Sequence, residues 1–536
     1  MLDFKRARRT PRKSGTVIPR DYLEHMKGRL TNINEIDEDL YQKYNVKRGL
    51  RNANGTGVVV GLTKISDVHG YDVDENNNKV PIEGELFYRG YEVKDLVRNY
   101  IAEDRFGFEE VTYLLLFGEL PTPEKLETFK TYIGEKRDLP TGFARDMILT
   151  APSNNIMNKL ARSVLALYCY DDDPDNTELG NVLKQSIGII GYFPALIAYA
   201  FQAKQTFYDN QSMHLHYPVP ELGTAENVLR MLRPTGEFTD LEAKALDISL
   251  VLHADHGGGN NSTFTTHLIS SSGTDTYSAI AAAIGSLKGP RHGGANISVT
   301  RMMMNLKANV RDITNRKAVD EYLTRVLKGQ ANDGSGLIYG MGHAIYTKSD
   351  PRAVMLKGIA HNLAKSKGLE EDFALYDYIE QRTPSLFAEV TGKETQMCAN
   401  VDLYSGFVYN ALNIPMDVAT PFFAMARLSG WCAHRLEELV AGKKLMRPAY
   451  VNVQPRQTYI PLEQREEPPA PKKTPGLDEL ELLQEAYTDE IKKLRQDNIQ
   501  NLRQVKETSD RIRELREKTE KVNQAIEEES QKNGRK

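Results

Sequence analysis

The apolar spacing between Val93 and about Leu445 limits what this chain can become. Phe108, Val111, Leu114 and Leu115 recur three to four residues apart, and similar spacing continues along the stretch. Clusters such as Leu120-Pro121-Thr122-Pro123 cut it into separate helices. Helices patterned this way bury their apolar faces against one another, so a mainly α fold is expected. Ahead of them, residues 56–90 carry strand and turn signals: the apolar run Val58 to Leu62, the turn Asn76 to Asn78, then Leu86-Phe87-Tyr88. A short β-containing entry segment is the expectation there. At 536 residues the chain is long enough for a large core and more than one domain.

Several function classes are disfavoured early. With 69 Lys and Arg against 73 Asp and Glu the formal charge is −4, so no global field draws the chain to nucleic acid or an acidic membrane. Cys169, Cys398 and Cys432 lie far apart with no C-x-x-C pair, which argues against a disulfide framework or a cysteine metal site and for a reducing compartment. No apolar run approaches a membrane span, and the first residues lack the apolar stretch of a secretory signal. That start is basic, with Lys5, Arg6, Arg8, Arg9, Arg12, Lys13 and Arg20 against Asp3 alone; without an apolar face it reads as a solvated tail. A cytoplasmic location is expected, with a mitochondrial one as the alternative.

Near Pro461 the composition turns to Glu, Pro and Lys, a solvated linker over 456–476. Beyond Pro475 a heptad frame fits: Leu477, Leu480, Gln484, Tyr487, Ile491, Leu494, Asn498, Asn501, Val505, Thr508, Ile512, Leu515, Thr519, Val522 and Ile526. A coiled-coil tail over 477–536 is expected, joining a protein partner or further copies through residues 477–526.

Four short segments could carry chemistry. In His253-Ala254-Asp255-His256-Gly257-Gly258-Gly259 an apolar helical run ends in glycines, placing both histidines on one face of the last turn. As metal ligands the pair is a weak signal, lacking cysteine or an acidic partner at chelating spacing, so no metal is expected. A helix C-terminus favours protonated histidine, which suits His256 to an anion. In Gly289-Pro290-Arg291-His292-Gly293-Gly294, His292 should sit just before a helix N-terminus, where the dipole keeps the ring neutral and able to donate to a carbonyl. In Tyr339-Gly340-Met341-Gly342-His343 the glycines let backbone approach a ligand, and His343 and Arg352 can both face it. Arg352 has the planar fork that suits a carboxylate. In Asn400-Val401-Asp402, Asp402 is either a helix N-cap or a base. Arg427 and Arg447 stand in otherwise apolar surroundings.

In this order the segments resemble the citrate synthase family, as do Phe87-Tyr88-Arg89-Gly90-Tyr91 and Phe108 to Pro121. The likeness spans about residues 55–455. It implies a mainly α, two-domain homodimer: an N-terminal extension over 1–54, a large domain over 55–293 and 413–455, and a small domain over 294–412 that closes over substrate. It implies condensation of acetyl-CoA with oxaloacetate to citrate, with 2-methylcitrate from propionyl-CoA as the alternative. Asp402 resembles the base, His292 the neutral donor to the enol, and His343 the group that polarises the ketone. His256, Arg352, Arg427 and Arg447 resemble the carboxylate-binding set, Arg447 reaching across the dimer. Leu337, Tyr339, Gly340 and Gly342 would meet CoA. No metal or redox cofactor is implied.

Gly257, Arg291 and Thr347 depart from the family's usual residues. A citryl-CoA lyase is disfavoured because no P-loop or Rossmann fingerprint accompanies the motifs. A scaffold that keeps the enzyme body only as a platform is the reading of another class.

Overall fold

Three antiparallel strands open the body: β1 (Ser66–Val73), β2 (Lys79–Tyr88) and β3 (Tyr91–Glu92), paired in that order with Ser66 opposite Tyr88. Val58 to Leu62 is not one of them. Val59 and Leu62 are 85% and 93% exposed, so most of that apolar run does not pack on the described residues. The turn before β2 is closed by Asp74, whose side chain accepts from the backbone N–H of Asn76 and Asn78.

The computed structural model describes residues 20–76, 78–465, 484–491, 493 and 505–533. One unit runs to Tyr450 and a second begins at Val451. The basic start, most of the linker and the seam positions Leu477, Leu480, Leu494, Asn498 and Asn501 lie outside the described residues.

The first unit is helical nearly throughout, as the spacing predicts. Its largest fully buried side chains include Trp431, Arg427, Tyr88 and Phe422. Helix Leu179–Tyr208 is, among the described residues, long and apolar enough to cross a membrane, but its most apolar window is 83% buried inside the fold. It is a core helix assembled from several shorter apolar runs. Helix Ala419–Ala441 runs through the same core and comes closest to the 254–255 loop at Gly430, whose N–H donates to Ala254 O at 3.2 Å. A Cβ at Gly430 would overlap Asp255 Oδ1, so only glycine permits this approach.

The strands brace one loop. A Cβ on Gly84 would overlap Ser349 O, and one on Gly70 would stand 2.9 Å from Ile345 O. Tyr346 Oη donates to Glu85 O at 3.2 Å, fastening the 343–350 loop to β2.

In the second unit, helix Val505–Asn533 and the helical residues 484–491 face each other in opposite directions: Gln484 Nε2 donates to Asn523 Oδ1 at 2.7 Å, and Arg511 pairs with Glu490. Leu515 is buried, with Tyr487, Ile491, Ile512 and Val522 half-buried. Tyr487, Ile491, Ile512, Leu515 and Val522 therefore lie within an antiparallel helix pair of one chain.

Candidate active site

Two loops are laced together by backbone hydrogen bonds to form one wall of the site. Met341 bridges Ala399, Gly342 N–H donates to Cys398 O at 2.8 Å, and Asn400 N–H donates to Gly340 O at 2.9 Å. Gly340 has φ +86°, and a Cβ there would press on Leu403 at 2.9 Å. The Asn400 side chain donates to Gly342 O and accepts from Asp402 N–H, capping helix Val401–Ala411. Asn400 is thus the N-cap. Asp402 sits inside the first turn with its carboxylate free of capping, and among the described residues no hydrogen bond ends on it.

Asp350 caps helix Pro351–Lys367 and ties the wall to a cation. Its carboxylate accepts from Arg352 N–H, Nε and Nη2 at 2.8–3.0 Å, and from Val401 N–H at 3.2 Å. Burial disfavours charge on Arg352, but the Asp350 carboxylate outweighs it and raises the guanidinium above its ordinary range. One edge of the Arg352 fork is spent on Asp350, and the other remains for a ligand.

His343 has its tautomer set by backbone. Its Nδ1 accepts from the N–H of Ile345 and Tyr346, each at 3.1 Å, so the ring proton resides on Nε2. The ring stacks on Tyr346 with centroids 4.8 Å apart. Burial, with Arg352 beside it, lowers its pKa to about 4, so it is a neutral donor at physiological pH.

His292 follows helix Thr276–Lys288 and precedes helix Ala295–Asn309, where the sequence places it. Its Nε2 lies 3.0 Å from Ser262 Oγ, which also accepts from Trp431 Nε1 and stands 2.9 Å from Asn260 Oδ1. With the hydroxyl proton turned toward Nε2, the imidazole proton resides on Nδ1; turned toward Asn260, it leaves the imidazole proton on Nε2. Burial, then Arg427, lowers the His292 pKa to about 4.

Arg427 stands between these groups. It is fully buried, donates from Nε to His253 O at 2.7 Å, and leaves Nη1 and Nη2 with no hydrogen-bond partner among the described residues. Burial lowers its pKa to about 10. His256 Nε2 is also buried and unpartnered among the described residues, and its ring meets that of His343 at 5.3 Å between centroids. Unpaired buried donors are costly, and together they describe a pocket for an anion with several oxygens. Asp402 feels Arg352, Asp350 and Arg427, but burial dominates and pushes its pKa up to about 6.

The helix-end reading of His253 and His256 is corrected. The helix stops at His253, whose Nδ1 faces Ser249 O at 2.7 Å, and His256 lies in the loop beyond. The dipole does not protonate His256. Burial, Arg352, His343 and Arg427 hold its pKa well below the ordinary value.

His256, His292, His343 and Asp402 each feel the charge of Arg352, Arg427 or both, while Arg447 is exposed beyond helix Ala419–Ala441. Leu337 is 56% exposed, and Tyr339 Oη donates to Asp333 Oδ2 at 2.6 Å. At Gly257, φ is +81° and a Cβ would come within 3.1 Å of Val68, which explains the glycine. Arg291 is exposed, and Thr347 Oγ1 is buried without a hydrogen-bond partner among the described residues. Sequence reasoning missed Ser262 and Phe423, whose ring packs beside His253, His292 and Arg427. Asp350 is placed by a local signal, since Asp directly before Pro is a helix-capping pattern.

The family description "Citrate synthase, C-terminal domain" matches residues 52–449. A citrate synthase of Corynebacterium glutamicum is 35% identical over 374 residues, 69% of this chain and 80% of that protein. A 2-methylcitrate synthase 1 of the same organism is 32% identical, covering 78% of this chain and 98% of its own length. The crystal structure of citrate synthase from Pyrobaculum aerophilum superimposes with a TM-score of 0.61 at 30% identity, over 76% of this chain and 94% of that one.

Proposed function

The chain belongs to the citrate synthase family, and on that premise we propose how its residues divide the reaction. It is an acyltransferase-type enzyme that condenses a short acyl-CoA with oxaloacetate. The observation that carries the assignment of residues is the pair of orphan nitrogens on buried Arg427, facing the same space as unpartnered His256 Nε2.

Arg427, His256 and the free edge of Arg352 bind the carboxylates of oxaloacetate. The His343 Nε2–H donates to its ketone oxygen and makes the carbonyl carbon electrophilic. Asp402 takes a proton from the acyl methyl while neutral His292, with the Ser262 hydroxyl proton turned toward its Nε2, stabilises the enol oxygen through Nδ1–H. The enol carbon then bonds to the ketone carbon, and the alkoxide takes a proton within the site. Water finally cleaves the thioester, releasing CoA. A base on one side and a donor at the developing oxyanion each contribute roughly 10²- to 10⁴-fold. Neutral imidazoles suit this work, because neither is itself the stronger acid that would protonate Asp402.

Arg447, exposed on its own chain, would serve a second copy in a homodimer. Residues 294–412 would close on the remainder of the body, with Leu337, Tyr339, Gly340 and Gly342 meeting CoA. A cytoplasmic location fits three free cysteines. No observation favours the body as a mere scaffold, and much of the tail that suggested it lies outside the described residues.

Free-thiol release by purified protein tests this reading. Release from acetyl-CoA or propionyl-CoA that requires oxaloacetate is expected, and the rate ratio names the donor. No release from either would overturn it.

A further inference from the structure

A second histidine pair lies outside the set of residues assigned to the reaction. His267, on helix Asn261–Ser270, and His434, on helix Ala419–Ala441, face each other with Nε2 and Nδ1 3.0 Å apart. Each has its other nitrogen on a carboxylate: His267 Nδ1 on Glu438 Oε2 at 2.7 Å, and His434 Nε2 on Asp255 Oδ2 at 3.2 Å. If both outer nitrogens carry protons for those carboxylates, both inner nitrogens present lone pairs to each other. In that arrangement one extra proton or a metal ion would join the two lone pairs.

Glu437 decides between the two. One turn from His434 on the same helix face, its Oε1 accepts from Lys64 N–H at 2.6 Å, while Oε2 is buried with no hydrogen-bond partner among the described residues and lies 3.8 Å from His434 Nδ1. The three inner atoms all fall within 4.8 Å of one another. Zinc holds imidazole nitrogen at roughly 2.0–2.1 Å and carboxylate oxygen at roughly 2.0–2.2 Å, so movements of about 1 Å would close the shell. Gly258 borders the pair: a Cβ there would stand 3.8 Å from His267 Nε2 and 3.9 Å from His434 Cε1 and Thr63 Cγ2. His267 and Glu437 keep 11% and 14% side-chain exposure, which gives an entry path.

We propose that His267, His434 and Glu437 form a binding site for a divalent transition metal of the zinc class, with Glu438 and Asp255 orienting the two imidazoles. Imidazole and carboxylate suit that class, and a carboxylate behind each ligating histidine is the arrangement that fixes tautomer and ring. Uptake displaces the bridging proton to solvent and leaves the fourth position to water. The ion links the two helices and is separate from turnover.

The test uses the full chain. After dialysis with zinc, about one equivalent should remain bound, and cobalt should give the intense visible absorption of a tetrahedral site. Glu437→Gln should weaken uptake at least about tenfold, and Glu438→Gln about 10- to 100-fold. His434→Gln should abolish it; if that variant fails to fold by circular dichroism, Glu437→Gln decides alone. Folded protein that takes up neither ion overturns the site and leaves the bridging proton. So does uptake that Glu437→Gln and Glu438→Gln leave unchanged.

Discussion

His343 and His292 are both neutral rings with pKa values near 4, but they are held in different ways. The His343 tautomer is set by two backbone N–H groups, in a wall laced by backbone bonds between 340–342 and 398–400. The His292 partner is a single serine hydroxyl, held in turn by an indole N–H and an asparagine oxygen. Backbone-set geometry survives most side-chain changes. Hydroxyl-set geometry depends on one rotatable proton. Substitutions on the two walls should therefore differ in kind, acting on the backbone-laced side only through the reacting group or a glycine.

The largest expected effect is at that reacting group. Asp402→Asn should lower kcat by about 10²- to 10⁴-fold in thiol-release assays. It should not lower thermal stability at neutral pH. A carboxyl raised from 3.8 to about 6 favours folding while protonated, and that contribution is lost as pH rises through 6; the neutral amide should melt at the same or a higher temperature. Next comes Arg427→Leu, between the walls, which should raise KM for oxaloacetate by about 10- to 100-fold through lost charged hydrogen bonds. Ser262→Ala should cost about tenfold in kcat with little change in KM, and Ser262→Thr should recover most of it. If Ser262→Ala leaves kcat unchanged, the hydroxyl does not set the His292 tautomer and the contrast fails. The smallest effect on turnover is Gly340→Ala, which meets Leu403 at positive φ and should instead cost about 1–3 kcal/mol of stability, read as a lowered melting temperature.

The helical body was legible because its periodicity is long and its breaks carry proline and glycine. The run Val58 to Leu62 was misread because strand signals report composition, and exposure on the folded body does not show in five residues. Six of the seven catalytic and substrate-binding residues proposed from sequence converge; Arg447 does not within one chain. Ser262 was invisible because a serine two residues past a cap looks like any helix start, and its partners His292 and Trp431 lie 30 and 169 residues away. The pair of His267 and His434 was hidden for the same reason, joined only by the packing of two helices.

The most direct test is the pH dependence of kcat/KM for the acyl-CoA, which reports the free enzyme's essential base. A carboxylate base buried to about 6 requires a one-proton acid limb centred near pH 6, with activity level above it, since both histidines are already neutral there. A limb near the ordinary carboxylate range of about 4 would contradict it, because Asp402 would then be a solvated carboxylate and not the buried base described here.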